Sequence, residues 1–147
     1  MREIKFRGKD IVTSEWRYGD LRHRIACCPS IIHDYNNNGK IDYAETPVHR
    51  DSVDQFTGLF DKNGKEIYEG DILRGDDYPF YDAEKDSYNY YAIVEWDEEA
   101  AQFYAYIHLA KDAEVRGISQ GIGEDMENLR EMEVIGNIHD NPELLNK

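Results

Sequence analysis

The chain has 147 residues, 40% of them hydrophobic, with 31 Asp and Glu against 17 Lys and Arg, a formal net charge of -14. One ordinary domain spanning 1–147 fits that length. The acidity excludes the two commonest anionic partners, nucleic acid and an anionic membrane surface, because both are bound through Lys and Arg.

Eleven Tyr, five Phe and two Trp make a 12% aromatic share that favours half-buried pleated surfaces. Hydrophobic spacing follows period two from the start. Ile4 and Phe6 alternate with charges, predicting a first strand over Glu3–Arg7. Basic residues concentrate in the first 24 positions, but Glu3, Asp10, Glu15 and Asp20 interleave with them, so that stretch is a mixed surface. A second strand is expected over Glu15–Leu21, with Trp16 and Tyr18 on one face. Ile25–Ile32 is an apolar run broken by Pro29, which predicts an edge strand or a bulge.

Asn36-Asn37-Asn38-Gly39 signals a tight turn, after which Ile41 and Tyr43 alternate. Asp61-Lys62-Asn63-Gly64 is a second turn, between Phe56–Phe60 and Lys65–Tyr68. Ile72-Leu73 reads as a short buried strand. Residues 75–89 are polar, acidic and Tyr-rich and read as a long loop. The clearest hairpin joins Tyr91–Trp96 to Gln102–Leu109 through Asp97-Glu98-Glu99-Ala100, a helix being the alternative for the second arm. Gly117, Gly121 and Gly123 predict a loop, and Glu124–Glu131 one or two helical turns. Glu133–Ile138 is a final strand, and Asn141 with Pro142 caps a terminal helical turn. The expected fold is mainly β: a small, partly open β-barrel or sandwich of short antiparallel strands with a short C-terminal helical turn.

Three stretches carry a family resemblance. They are Met1–Gly8 with Trp16–Leu21, then Gln55–Ile72, then Glu133–Ile138 closing with Asn141–Leu145. In these the chain resembles the YopX-like proteins of bacteriophages and prophages. The resemblance implies a β-rich domain encoded by mobile DNA and no particular reaction or catalytic residue. The same residues have a plain physical reading, with Gly58, Gly64, Gly70 and Gly136 at turns or close approaches and Phe56, Leu59, Ile67, Ile72, Val134, Ile135 and Ile138 in a core.

One local motif carries chemistry. Residues 34–45 satisfy the EF-hand loop pattern, with side-chain oxygens at Asp34, Asn36, Asn38, Asp42 and Glu45 and the backbone carbonyl of Lys40. Calcium takes six to eight oxygens, and a bidentate Glu45 would complete the shell. Against this, Cys27-Cys28-Pro29 and Pro47 flank the loop where an EF-hand has helices. The alternative is a β-hairpin whose turn is rich in Asn and Gly, with no metal.

Other constellations are weak. His23, His33 and His49 lie near Cys27 and Cys28, but zinc spacing is absent. Cys28 with His23 or His33 could be drawn as a nucleophile and base, though chance supplies such pairs readily. The glycines of 117–123 lack the Lys and Ser/Thr of a phosphate loop. Paired carboxylates such as Glu98-Glu99 and Glu124-Asp125 are uninformative at this acidity. Tyr78, Tyr81, Tyr88, Tyr90, Tyr91, Tyr104 and Tyr106 form an aromatic-rich stretch whose acidic setting argues against stacking of single-stranded nucleic acid; a half-buried sheet face is the first reading and a protein-contact patch the second. With neither an apolar span nor a secretory leader, and two adjacent cysteines, the expected location is the cytoplasm of a bacterial host cell. The expected role is non-enzymatic binding of a basic protein through the acidic, Tyr-rich surface. The alternatives are a calcium-binding module at 34–45, or an enzyme, which would need a concave pocket with converging polar groups.

Overall fold

A computed structural model describes residues 1–75, 81–82, 87–88, 90–109, 123–124 and 128–146. For 81–82, 87–88, 90, 107–109, 123–124, 128 and 146 it describes the backbone alone. The glycine loop at 117–121 lies outside these residues, as do most of the acidic stretch 75–89 and the side chains of Tyr78, Tyr81, Tyr88 and Tyr90. Within that stretch, β8 (Tyr81–Asp82) pairs with β9 (Ser87–Tyr88). The chain divides into two compact units, Met1–Gly58 and Leu59–Lys147.

The first unit is an antiparallel sheet. Its strands are β1 (Phe6–Lys9), β2 (Trp16–Arg22), β3 (Ser30–Asn37), β4 (Lys40–Pro47) and β5 (Asp54–Phe60), which runs on through the boundary. The strand order is β4-β3-β2-β1-β5. β1 starts at Phe6, two residues past Ile4, so Ile4 is exposed rather than inward. β3 starts at Ser30, immediately after Pro29, whose carbonyl accepts the Val48 N–H at 2.9 Å. The proline therefore precedes an interior strand instead of bulging an edge one, because it has no N–H to give a ladder. Ile31, Val48 and Phe56 are buried. So are Arg7 and Asp54, joined by Arg7 Nε donating to Asp54 Oδ2 at 2.9 Å and by Nη2 at 2.9 Å from the same oxygen. The Arg7 guanidinium lies 4.6 Å from the centre of the Trp16 ring.

The second unit holds the larger core. β6 (Glu66–Tyr68) and β7 (Asp71–Arg74) follow the 61–64 turn. β10 (Tyr90–Asp97) and β11 (Gln102–Leu109) form the long hairpin over eight residue pairs, so the second arm is a strand and not a helix. β12 (Gly123–Glu124), a 3-10 turn at Asn128–Glu131, β13 (Glu133–Asn137) and a closing 3-10 turn at Pro142–Asn146 complete it. The sheet order is β12-β11-β10-β7-β13, antiparallel throughout and open at both ends. One face carries the core, in which Leu73, Ala92, Val94, Ala105 and Val134 pack with Ile67, Leu129 and Met132. Each fully buried Leu, Ile or Val there contributes roughly 1.5–3 kcal/mol.

Asp61 ties this unit together. Its Oδ1 accepts the N–H groups of Asn63 and Lys65, both at 2.8 Å, and closes the turn. Its Oδ2 accepts the Val134 N–H at 3.0 Å, across 73 residues of sequence. Burial pushes its carboxyl up, but the three N–H donors outweigh that and hold it below the ordinary 3.8. At β13 the ladder skips Ile135, so the strand bulges before Gly136. Gly136 passes the Asn141 side chain so closely that a Cβ would overlap it. Asn141 Oδ1 accepts the Asn137 N–H at 3.3 Å, and the Asn141 carbonyl accepts the Leu144 N–H at 3.1 Å. The protein is thus mainly β, built of short antiparallel strands with a helical turn at its C-terminus.

Candidate functional site

Residues 34–45 fold as the distal part of the β3–β4 hairpin. Asn38 (φ 51) and Gly39 (φ 86) form a two-residue turn between the paired Asn37 and Lys40. Positive φ at both positions is the primed turn that matches strand twist, and Asn-Gly supplies it at least cost. Asn36 Oδ1 accepts the Gly39 N–H at 2.8 Å and braces the turn.

The hairpin disperses the six candidate calcium ligands. Asp34 pairs with Tyr43, Asn36 with Ile41 and Glu45 with Ile32, so those three side chains share one face. Asp42 pairs with Tyr35 and points to the other face. Four strand positions separate the levels of Asn36 and Glu45, about 14 Å at 3.4 Å per residue. A calcium shell gathers oxygens within roughly 2.3–2.6 Å of one point. Collecting these ligands would require breaking the β3–β4 ladder.

The oxygens of Asn36, Asp42 and Glu45 are also engaged. Glu45 accepts Arg24 Nη2 at 2.6 Å and Arg22 Nη1 at 3.0 Å. Arg24 lowers its carboxyl most, burial opposes that next, and Ser30 and Arg22 add to the lowering, so the group stays below the ordinary 4.5. Asp42 Oδ1 accepts the Tyr43 N–H at 2.9 Å, and its Oδ2 lies 3.5 Å from the Tyr35 hydroxyl. Lys40 lies in the ladder beside the turn.

Among the described residues no three or more His, Cys, Asp or Glu gather as metal ligands. Cys27 and Cys28 are exposed. Arg24 Nη1 lies 3.9 Å from Cys27 Sγ, and Arg50 Nη2 donates to the Cys27 carbonyl at 3.1 Å.

The second unit brings together a different set. In the β10–β11 hairpin, Glu95 lies directly opposite Tyr104, Ile93 opposite Tyr106, and Asp97 opposite Gln102. Directly opposed residues project to one face. That face, opposite the one that carries Leu73, Val94 and Ala105, therefore holds Glu95, Asp97, Tyr104 and Tyr106 beside the buried Ile93 and Ile72. The two tyrosine rings are 5.1 Å apart at 68°, edge to face. Tyr104 and Tyr106 are half-buried, and Glu95 is exposed. Desolvation, then the negative charge of Asp97 and Glu95, then Tyr104 and Glu99, pushes the Tyr106 hydroxyl above its ordinary 10.0. On the core side of the same hairpin, Trp96 packs edge-on against Phe103 at 5.0 Å and remains 45% exposed.

Sequence pattern flagged Tyr104 and Tyr106 but not the carboxylates beside them. The signal lies in the hairpin register, which pairs Asp97 with Gln102 and Glu95 with Tyr104 because the connecting loop is Glu98–Ala101; a loop over Asp97–Ala100 would have set Glu95 opposite Gln102. It was hidden because acidic residues are so frequent here that none stands out singly.

Two open antiparallel sheets of short strands define a small, mainly β protein. A model of the YopX family, described as YopX protein, matches residues 5–146, so nearly the whole length is covered. The chain belongs to the YopX family. The crystal structure of protein EF1440 from Enterococcus faecalis is similar over 99% of this chain and 100% of that one, at a TM-score of 0.56 and 23% identity. At that identity the likeness establishes fold alone. No curated protein matches the chain. No helix among the described residues is long and apolar enough to cross a membrane.

Proposed function

We propose that this is a phage- or prophage-derived accessory protein that works without catalysis, by binding a basic protein through the acidic tyrosine face of β10 and β11. The observation that carries this reading is the placement of Glu95 and Asp97 on the same sheet face as the Tyr104–Tyr106 pair. Tyrosine provides large contact area at low entropic cost, and carboxylates around it select positive charge. A net charge of -14 adds long-range attraction for a basic partner and repels a second copy of the chain, a nucleic acid or an anionic lipid.

The test is affinity capture from bacterial host lysate with the wild type and with a Glu95→Gln/Asp97→Asn variant side by side. Support requires a basic protein retained by the wild type, lost from the variant and released by moderate salt. Equal retention by both chains would place binding elsewhere and overturn the reading.

A further inference from the structure

The partner chemistry of that face can be narrowed, and the narrowing rests on the function just proposed. Glu95 and Asp97 are two residues apart on β10, so their side chains leave the sheet about 7 Å apart along the strand. Asp97 Oδ1 is occupied, accepting the N–H groups of Glu99 at 2.9 Å and Ala100 at 3.0 Å in the hairpin turn. That leaves Asp97 Oδ2 and both oxygens of Glu95 without a hydrogen bond among the described residues. Beside them the Tyr104–Tyr106 pair presents a ring face and a ring edge. The carboxylates make this face negative, and a ring face adds to that through its quadrupole, whereas a ring edge does not.

The first unit fills the same combination internally. Arg7 stacks its guanidinium on Trp16 at 4.6 Å while its Nε and Nη2 both reach Asp54. An aromatic surface with a carboxylate at its rim is there completed by a guanidinium. On β10–β11 the aromatic surface and the carboxylates are present, and no described guanidinium completes them.

We infer that this face takes an arginine side chain of the partner protein, its guanidinium stacked on one ring of the Tyr104–Tyr106 pair and its N–H donors shared between Glu95 and Asp97. Lysine is the weaker fit for a physical reason. Its ammonium is compact and strongly hydrated, and it meets one carboxylate as a point charge. The guanidinium is flat, sheds water more readily, stacks on rings and carries five donors in a fixed fork. A second copy of this chain is disfavoured as occupant by like charge, -14 against -14.

The experiment titrates the full chain with an arginine-rich peptide and its lysine-for-arginine twin of equal charge, following Tyr104 and Tyr106 by NMR and affinity by calorimetry. The arginine peptide is expected to bind about tenfold more tightly, a difference of about 1.4 kcal/mol. Glu95→Gln/Asp97→Asn should abolish both interactions. Tyr104→Ala/Tyr106→Ala should bring the arginine peptide down to the lysine level, whereas Tyr106→Phe, which keeps the ring, should preserve the preference. Equal affinity for the two peptides overturns the arginine assignment and leaves the acidic-face function standing. Failure of both peptides to bind brings down assignment and function together. Arginine preference that survives loss of both rings places the selection outside this face and also overturns the assignment.

Discussion

Arg7 carries a full positive charge at 5% exposure, and Asp54 meets it at 4%. Removing charges from water costs several kcal/mol each, and only close pairing recovers it. The Trp16 ring over the guanidinium contributes further attraction. Asp54→Ala removes the counter-charge and keeps the burial, so it should destabilise the chain by about 3–5 kcal/mol in urea unfolding. Arg7→Met with Asp54→Leu should recover most of that loss. A loss below about 1 kcal/mol for the single variant would mean that the guanidinium finds water or another partner at little cost. Asp61 gives a second prediction, with a sign set by protons. Its folded carboxyl titrates below the ordinary 3.8, so the unfolded chain binds the proton more tightly. The stabilisation is therefore complete above the unfolded value and is lost as pH falls through the folded one. Asp61→Asn should cost roughly 2 kcal/mol at neutral pH, because its amide NH2 cannot accept on both sides. Acid unfolding of that variant should show a flatter pH dependence below pH 4 than the wild type. Neither role was legible in the sequence, where Asp54 and Asp61 look like any other of 31 acids. Alternation places side chains on faces, but it cannot say which carboxylate meets an N–H 73 residues away.

The β3–β4 hairpin illustrates the same limit one level up. Asn38-Gly39 announces the turn, and the alternation of Ile41 and Tyr43 announces the strand. Alternation ordinarily means one buried face, yet Ile41 is 75% exposed, Tyr43 67% and Tyr35 43%. Period two is thus evidence of extended backbone and not, by itself, of a core. The turn also sets which backbone groups look outward. Asn37 and Lys40 flank a two-residue loop and form a hydrogen-bonded pair, so the backbone of Ile41, Tyr43, Glu45 and Pro47 faces away from β3. β4 ends the strand order of the first unit, and such an edge invites another strand. Here Pro47 has no N–H to offer, its carbonyl accepts from Ile11 at 3.2 Å, and the Tyr43 N–H is held by Asp42 Oδ1. Asp42 thus blunts the edge between two exposed apolar residues. Asp42→Ala should release that N–H and promote pairing of β4 with β4 of a second molecule. Sedimentation velocity should then show mass rising with concentration beyond the wild type, and Asp42→Asn, which keeps an acceptor, should not. Superimposable profiles for the alanine variant and wild type would remove this role for Asp42. The EF-hand pattern at the same residues is a case of ligand spacing written in sequence and cancelled by register. A loop around a cation and a flat ladder use the same order of residues, and the Asn-Gly turn selects the ladder.

At the scale of the whole chain the dominant physical fact is a net charge of -14. Like charges confined to one folded chain repel, and folding brings them closer than the expanded chain does. Added salt shortens the range of that repulsion, with a Debye length of about 10 Å at 0.1 M and about 3 Å at 1 M. Moderate sodium chloride should therefore raise the thermal midpoint, by roughly 2–4 °C for each kcal/mol of repulsion relieved in a chain of this size. The same ions screen the attraction between the β10–β11 face and a basic partner, so affinity should fall as the midpoint rises. These opposite slopes separate two explanations of the acidity. If the charge serves solubility alone, salt stabilises the chain and the Glu95→Gln/Asp97→Asn variant retains the partner as well as the wild type does. If it serves recognition, the variant gains part of the salt-free stability and loses the partner in the same step. Differential scanning calorimetry and partner titration on the two chains, over one salt series, measure both slopes. A midpoint that falls with salt would show that attractive ion pairs, such as Arg22 and Arg24 on Glu45 or Arg74 on Glu133 at 2.7 Å, outweigh the net repulsion.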